Sequence, residues 1–152
     1  MKRIFSSAGF YVVAVALFLQ AGALAQAKKK EAIVLPATDL QWTAMKGGPP
    51  GISFAKLWGN MEKGAYGAFV KLPAGMKNPL HTHTHPLKLV VISGTFYYTP
   101  EGGTERRLGP GSYLDEPGGV KHLSGTSDDG PCVIFQESSG SFDLKPVAAP
   151  TK

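Results

Sequence analysis

A chain of 152 residues with 16 basic and 11 acidic side chains, a formal charge of +5, has the length of one domain and no clustered basic stripe. Nucleic acid is therefore excluded as a partner, since its recognition needs such a stripe, whereas Arg106-Arg107 is an isolated pair and Lys28-Lys29-Lys30 reads as a solubilising tail. The single cysteine, Cys132, rules out an intramolecular disulfide and has no basic neighbour in sequence to favour a thiolate.

The first predicted element is a targeting segment. Lys2 and Arg3 form a basic start, Phe10 to Leu19 is an apolar run too short for a comfortable membrane span, and Ala23-Leu24-Ala25 is a small-x-small cleavage site before Gln26. Residues 1–25 thus read as a signal peptide that sends the protein to the periplasm or beyond, with no stable membrane insertion after cleavage. The alternative is an uncleaved anchor, with the lysine run just outside it. Cleavage leaves 152 − 25 = 127 residues and, without Lys2 and Arg3, a balance of 14 − 11 = +3. Residues 26–39 read as a flexible segment, 40–146 as the folded domain and 147–152 as a C-terminal tail.

Within the domain, 19 glycines and 12 prolines punctuate the whole chain at intervals that suit short antiparallel strands, and no window keeps a helical repeat for three turns. In chain order, strands are predicted near 41–44, 52–58, 65–72, 80–84, 87–92, 95–99, 105–108, 112–114, 120–123, 132–137 and 142–144. Gly47-Gly48-Pro49-Pro50-Gly51, Pro100-Glu101-Gly102-Gly103 and Asp128-Asp129-Gly130-Pro131 are turns. Leu89 to Ile92 and Cys132 to Phe135 are continuous apolar runs, expected where a strand is covered on both sides or lies at an oligomer face.

Two glycine-framed segments carry all four histidines, three of them at motif positions. The first runs Gly75-x5-His81-x-His83 and closes at Gly94; the second runs Gly111-x5-Pro117-x-Gly119-x2-His122. Side chains one residue apart on a strand share a face, so His81 and His83 can serve one cation, with His122 arriving from a distant strand. A lone histidine is usually a satisfied core residue, but three at these spacings point to a metal pocket. Pro117-Gly118-Gly119 makes a tight corner that delivers His122 inward, and the four motif glycines mark junctions needing positive φ or close backbone approach.

These residues resemble the two motifs of the cupins, in particular the small single-domain cupins carried by bacteria. The resemblance covers about Leu40 to Pro146. It implies an all-β fold, a single double-stranded β-helix or jelly roll, with a divalent metal held in the barrel by His81, His83 and His122, and it implies homodimerisation by sheet packing. Two positions depart from the motif. The family's glutamate ligand falls on Leu87 or Lys88, depending on the count, and Thr126 stands in place of a terminal asparagine that looks structural.

Without the glutamate, three neutral imidazoles favour zinc, iron or copper over manganese. His85 shares the parity of the pair but precedes Pro86, so it is read as a further ligand or as a neighbour of the site. Glu137 could supply a compensating carboxylate, with Gln136 the neutral alternative if the strand parity is reversed. Alternation puts Phe96 and Tyr98, or else Tyr97 alone, on the inner face as pocket lining. The function expected is a secreted metal-binding protein acting on a small organic molecule. Dioxygenase-like chemistry on an enolisable or phenolic substrate comes first, and isomerase or lyase chemistry second. The competing reading is a non-catalytic module that binds a small molecule or the metal itself.

Overall fold

The computed structural model describes residues 31–148, so the expected leader and the end of the tail lie outside the described residues. Among the described residues, eleven strands follow a single 3-10 turn at Ala37–Asp39: β1 Trp42–Ala44, β2 Ser53–Gly59, β3 Tyr66–Leu72, β4 Lys77–Thr82, β5 Leu87–Ser93, β6 Phe96–Pro100, β7 Arg106–Leu108, β8 Tyr113–Glu116, β9 His122–Thr126, β10 Cys132–Ser138 and β11 Lys145–Pro146. They form a six-stranded sheet, in the order β1-β2-β3-β10-β5-β8, and a five-stranded sheet, β11-β4-β9-β6-β7. Every pairing is antiparallel. Two facing antiparallel sheets with crossing connections are the expected jelly roll.

The core lies between the sheets and is built by alternation. Leu87, Leu89 and Val91 on β5 and Cys132 and Ile134 on β10 are buried, with Val70, Leu72 and Phe96 packed against them. The intervening residues face the other way. Phe69, Phe135, Val90 and Tyr113 are register partners in one row across four strands, half-buried or exposed, which accounts for the continuous apolar runs. Burial also pushes the Cys132 thiol up to about 11, so it behaves as a small apolar core residue.

Two junctions show why glycine is required. Gly94, between β5 and β6, has φ +74°, and a Cβ there would lie 2.5 Å from the Pro131 carbonyl oxygen. Gly119 has φ +81° and donates its N–H to the His83 carbonyl at 2.8 Å. That bond ties the corner preceding His122 directly to the end of the strand that carries the histidine pair.

Thr126, where the motif has asparagine, does structural work. Its Oγ1 donates to the Pro73 carbonyl (2.6 Å) and accepts from the Met76 N–H (3.0 Å), clipping the end of β9 to the turn between β3 and β4. The side chain is buried, so Thr126→Val should leave the buried Met76 N–H and the half-buried Pro73 carbonyl short of a partner and cost about 1–3 kcal/mol. Urea unfolding of the variant checks this; a loss within error of zero would show that the backbone bond from Thr126 N–H to Met76 O holds the junction unaided.

Candidate metal centre

β4 delivers the first two histidines through an irregularity. The β4–β9 ladder pairs Asn78 with Ser124 but His81 with His122, so the register shifts between them. Asn78 and His81 both line the interior, although three residues apart on a regular strand would put them on opposite faces. The shift falls at Pro79, which has no N–H to give a ladder. The expected strand, 80–84, begins earlier than predicted, at Lys77, and ends at Thr82. His83 lies just past that end and is held by other means.

His81, His83 and His122 are buried, at 1%, 7% and 2% exposure, and offer one ligand atom each with all three atoms within 4.8 Å of one another. The ring centroids are 4.1 to 5.3 Å apart. In each ring Nδ1 faces an oxygen. His81 Nδ1 is 2.7 Å from the Pro79 carbonyl, His83 Nδ1 bonds the Asp143 carbonyl, and His122 Nδ1 is 3.2 Å from the Val120 carbonyl. A carbonyl can only accept, so each Nδ1 carries a proton. Burial, ahead of the neighbouring imidazoles, lowers the His81 pKa to about 4, and burial lowers that of His83 as well. Both are neutral at pH 7, as ligands must be.

The segment before β11 supplies the hold on His83. Phe142 lies beside the ring, with centroids 5.4 Å apart. Asp143 gives its carbonyl to the imidazole, and its carboxylate accepts from the Thr84 N–H at 2.7 Å and from the Thr84 hydroxyl. Burial opposes ionisation of Asp143, but the two Thr84 bonds and Lys145 outweigh it and hold its carboxyl below the usual range. Residues 142–144, expected as a strand, are this clamp, and the strand itself is the two-residue β11.

The remaining candidates are placed elsewhere. His85 stands outside the cluster; its ring covers Gly140, where an added Cβ would come within 2.3 Å. Glu137 points away from the interior, between Gly67 and Lys88 on the flanking strands, and so does not compensate for the missing glutamate. Gln136 does face the interior, but its amide donates to the Tyr66 hydroxyl. Leu87 is buried and lines the cavity, and Lys88 is exposed. Phe96 and Tyr98 both face inward, while Tyr97 turns outward under the Arg107 guanidinium, 5.0 Å away. Tyr98 stacks on His122, at 4.9 Å and 25°.

Sequence reasoning missed Glu116. It ends β8, is 4% exposed and lines the same cavity, with Oε1 2.5 Å from His122 Nδ1. That contact lies within ion-pair range, Nδ1 is also 3.2 Å from the Val120 carbonyl, and Oε1 has no hydrogen-bond partner. An unsatisfied buried carboxylate oxygen beside three buried imidazoles calls for a cation, so the donor set fits a divalent metal. The signal was available: Glu116 has the parity of inward Leu114. The strand was predicted to end at Leu114, which left Glu116 in a loop.

The histidines open on a cavity of about 580 Å³. That volume suits a small organic molecule.

Comparison with known proteins agrees with this architecture. A family model described as "ChrR Cupin-like domain" matches residues 30–140. The chain is 36% identical over 78 residues to dimethylsulfoniopropionate lyase DddQ of Ruegeria pomeroyi, covering 51% of this chain and 38% of the relative. The chain therefore spans well under half the length of that curated relative. A Ralstonia eutropha protein of unknown function with a cupin-like fold superposes with a TM-score of 0.62 at 27% identity, over 76% of this chain and 77% of the other. The polyketide cyclase RemF of Streptomyces resistomycificus superposes with a TM-score of 0.63 over 78% and 87%, and at 16% identity shares the fold alone.

Proposed function

This chain belongs to the ChrR cupin-like domain family, and from that premise we propose that it is an exported protein that holds one divalent transition metal on His81, His83 and His122 and receives a small organic molecule beside it. The observation that carries the reading is the cluster itself: three buried imidazoles, each with Nδ1 on an oxygen, whose ligand atoms lie within 4.8 Å of one another and so could share one ion. All three come from one side, β4, its continuation and β9, so positions toward the cavity stay free for the guest. A metal bound there would supply Lewis acidity toward an oxygen of that guest.

The protein groups around this position would orient the guest and keep water out. Burial, and then the charge of Glu116 and a hydrogen bond to it, push the Tyr98 phenol up to about 12, so it stays protonated at pH 7. Gln136, whose amide donates to the Tyr66 hydroxyl, lines the same cavity. Leu87, Leu89 and Phe96 make the rest of the wall apolar.

Of the chemistries open to such a site, elimination from a small carboxylic acid is favoured over oxygenation by the similarity to a dimethylsulfoniopropionate lyase. The first test is elemental analysis of the full chain purified from its own compartment, where about one equivalent of zinc, iron or copper is expected. Absence of metal, with none taken up on titration, would remove the proposal. Incubation of the loaded protein with dimethylsulfoniopropionate and related β-substituted acids then separates an enzyme, which releases an alkene, from a binding module, which does not.

A further inference from the structure

A dication held by three neutral imidazoles inside a barrel keeps its full charge, and the position at which the motif would place a compensating glutamate is occupied here by Leu87. Burying an uncompensated charge is costly. The β5–β8 ladder places Leu87 directly opposite Glu116. The two side chains are buried on the same inner face, at 5% and 4% exposure, so Glu116 brings a carboxylate from the neighbouring strand to the place where β5 lacks one. Its Oε1 has no hydrogen-bond partner and rests 2.5 Å from Nδ1 of His122, one of the three rings of the cluster.

We propose that Glu116 is the anionic partner of this metal centre, a positioning residue that acts on the metal through His122 and takes over, from the adjacent strand, the charge that the motif glutamate would carry. The inference rests on the metal-binding reading above. Glu116 does not join the set of mutually close ligand atoms, so it works from behind His122 rather than as a fourth ligand. The arrangement also constrains the ring. The His122 imidazole is bounded by Tyr98 on one face, by the Val120 carbonyl and Glu116 at Nδ1, and by His81 across the ladder, which leaves Nε2 a single direction. A pair of Glu116 with a protonated His122 and no role toward metal is the competing explanation, and it predicts no change in metal affinity when the carboxylate becomes an amide.

Zinc and manganese titrations against a chromogenic chelator, with the full chain at pH 8, separate the two. Glu116→Gln keeps shape and removes charge; it should lower zinc affinity about 10- to 100-fold, the usual effect of losing such a partner, and alter the visible absorption of the cobalt-substituted protein. Glu116→Asp, which keeps the charge, should lose less. Leu87→Glu in the Glu116→Gln background returns a carboxylate to the motif position and should recover zinc affinity while raising that for manganese. If Glu116 were purely structural, Glu116→Gln would show no loss of affinity to recover. Wild-type zinc affinity and an unchanged cobalt spectrum in Glu116→Gln would overturn the inference and leave the three-histidine reading standing; a wild-type chain that binds no metal would end both. Should Glu116→Gln fail to fold, judged by circular dichroism, the comparison of Glu116→Asp with wild type decides: affinity lowered as far as a lost charge would lower it overturns the proposal, and affinity largely kept supports it.

Discussion

Replacing His83 with alanine should lower zinc affinity by roughly two orders of magnitude or more, while His85→Ala leaves it unchanged. Loss of a direct ligand costs at least as much as loss of an outer partner, and this site has no spare imidazole in reach. The contrast follows from the end of β4. His83 lies against the other two rings with Nδ1 on the Asp143 carbonyl, whereas His85 covers Gly140 away from them. A second consequence separates His83→Ala from a simple ligand deletion. The Asp143 carbonyl loses its donor and Phe142 its neighbour, so the metal-free variant should also be less stable by about 1–3 kcal/mol. Calorimetric titration with zinc and urea unfolding of the metal-free chains measure the two effects independently. Equal loss of affinity in the His83 and His85 variants would mean that the strand end rearranges to bring in His85.

Acid should destabilise the metal-free protein well above the carboxylate range. Burial holds His81 neutral in the folded state with a pKa lowered from 6.5 to about 4, and His83 moves the same way. Between these values the unfolded chain binds a proton that the folded chain refuses. The stability present above pH 6.5 is therefore lost progressively as pH falls toward 4, with His81 alone contributing on the order of 3 kcal/mol. Asp143, whose folded pKa is depressed, adds a further loss below the ordinary carboxylate value of 3.8, with the same sign. Urea midpoints at pH 8, 6.5, 5 and 4 on metal-free protein should trace this slope, and bound zinc should steepen it because protons compete for the same nitrogens. A flat profile from pH 7 to 4.5 would show that the imidazoles are solvated, contrary to their burial.

The local parts of this architecture were legible in the order of the residues. Strand positions followed from alternation and from Gly-Pro punctuation, because a turn residue acts through its own φ: Gly94 and Gly119 adopt the positive values that their places at strand junctions imply. The spacing of His81 and His83 placed them on one face, and Pro117-Gly118-Gly119 marked the corner that brings His122 to them. Other features belong to pairs of strands, and no single strand carries them. The register shift at Pro79 decides that His81 rather than Leu80 faces inward, and it exists only against β9. The orientation of Glu137 was open until β3 and β5 flanked β10 and put Gln136 on the inner side. Glu116 became part of the site only when β8 extended beyond Leu114 to pair with β5 and set the carboxylate opposite Leu87. Residue types and spacings thus determined the strands, the corners and the three imidazoles, because those depend on backbone conformation over a few bonds. The pairing of the Glu116 charge with the imidazoles and the clamp from Phe142 and Asp143 were decided by tertiary structure, since they depend on contacts between segments; strand parity with Leu114 alone could only put Glu116 on the inner face.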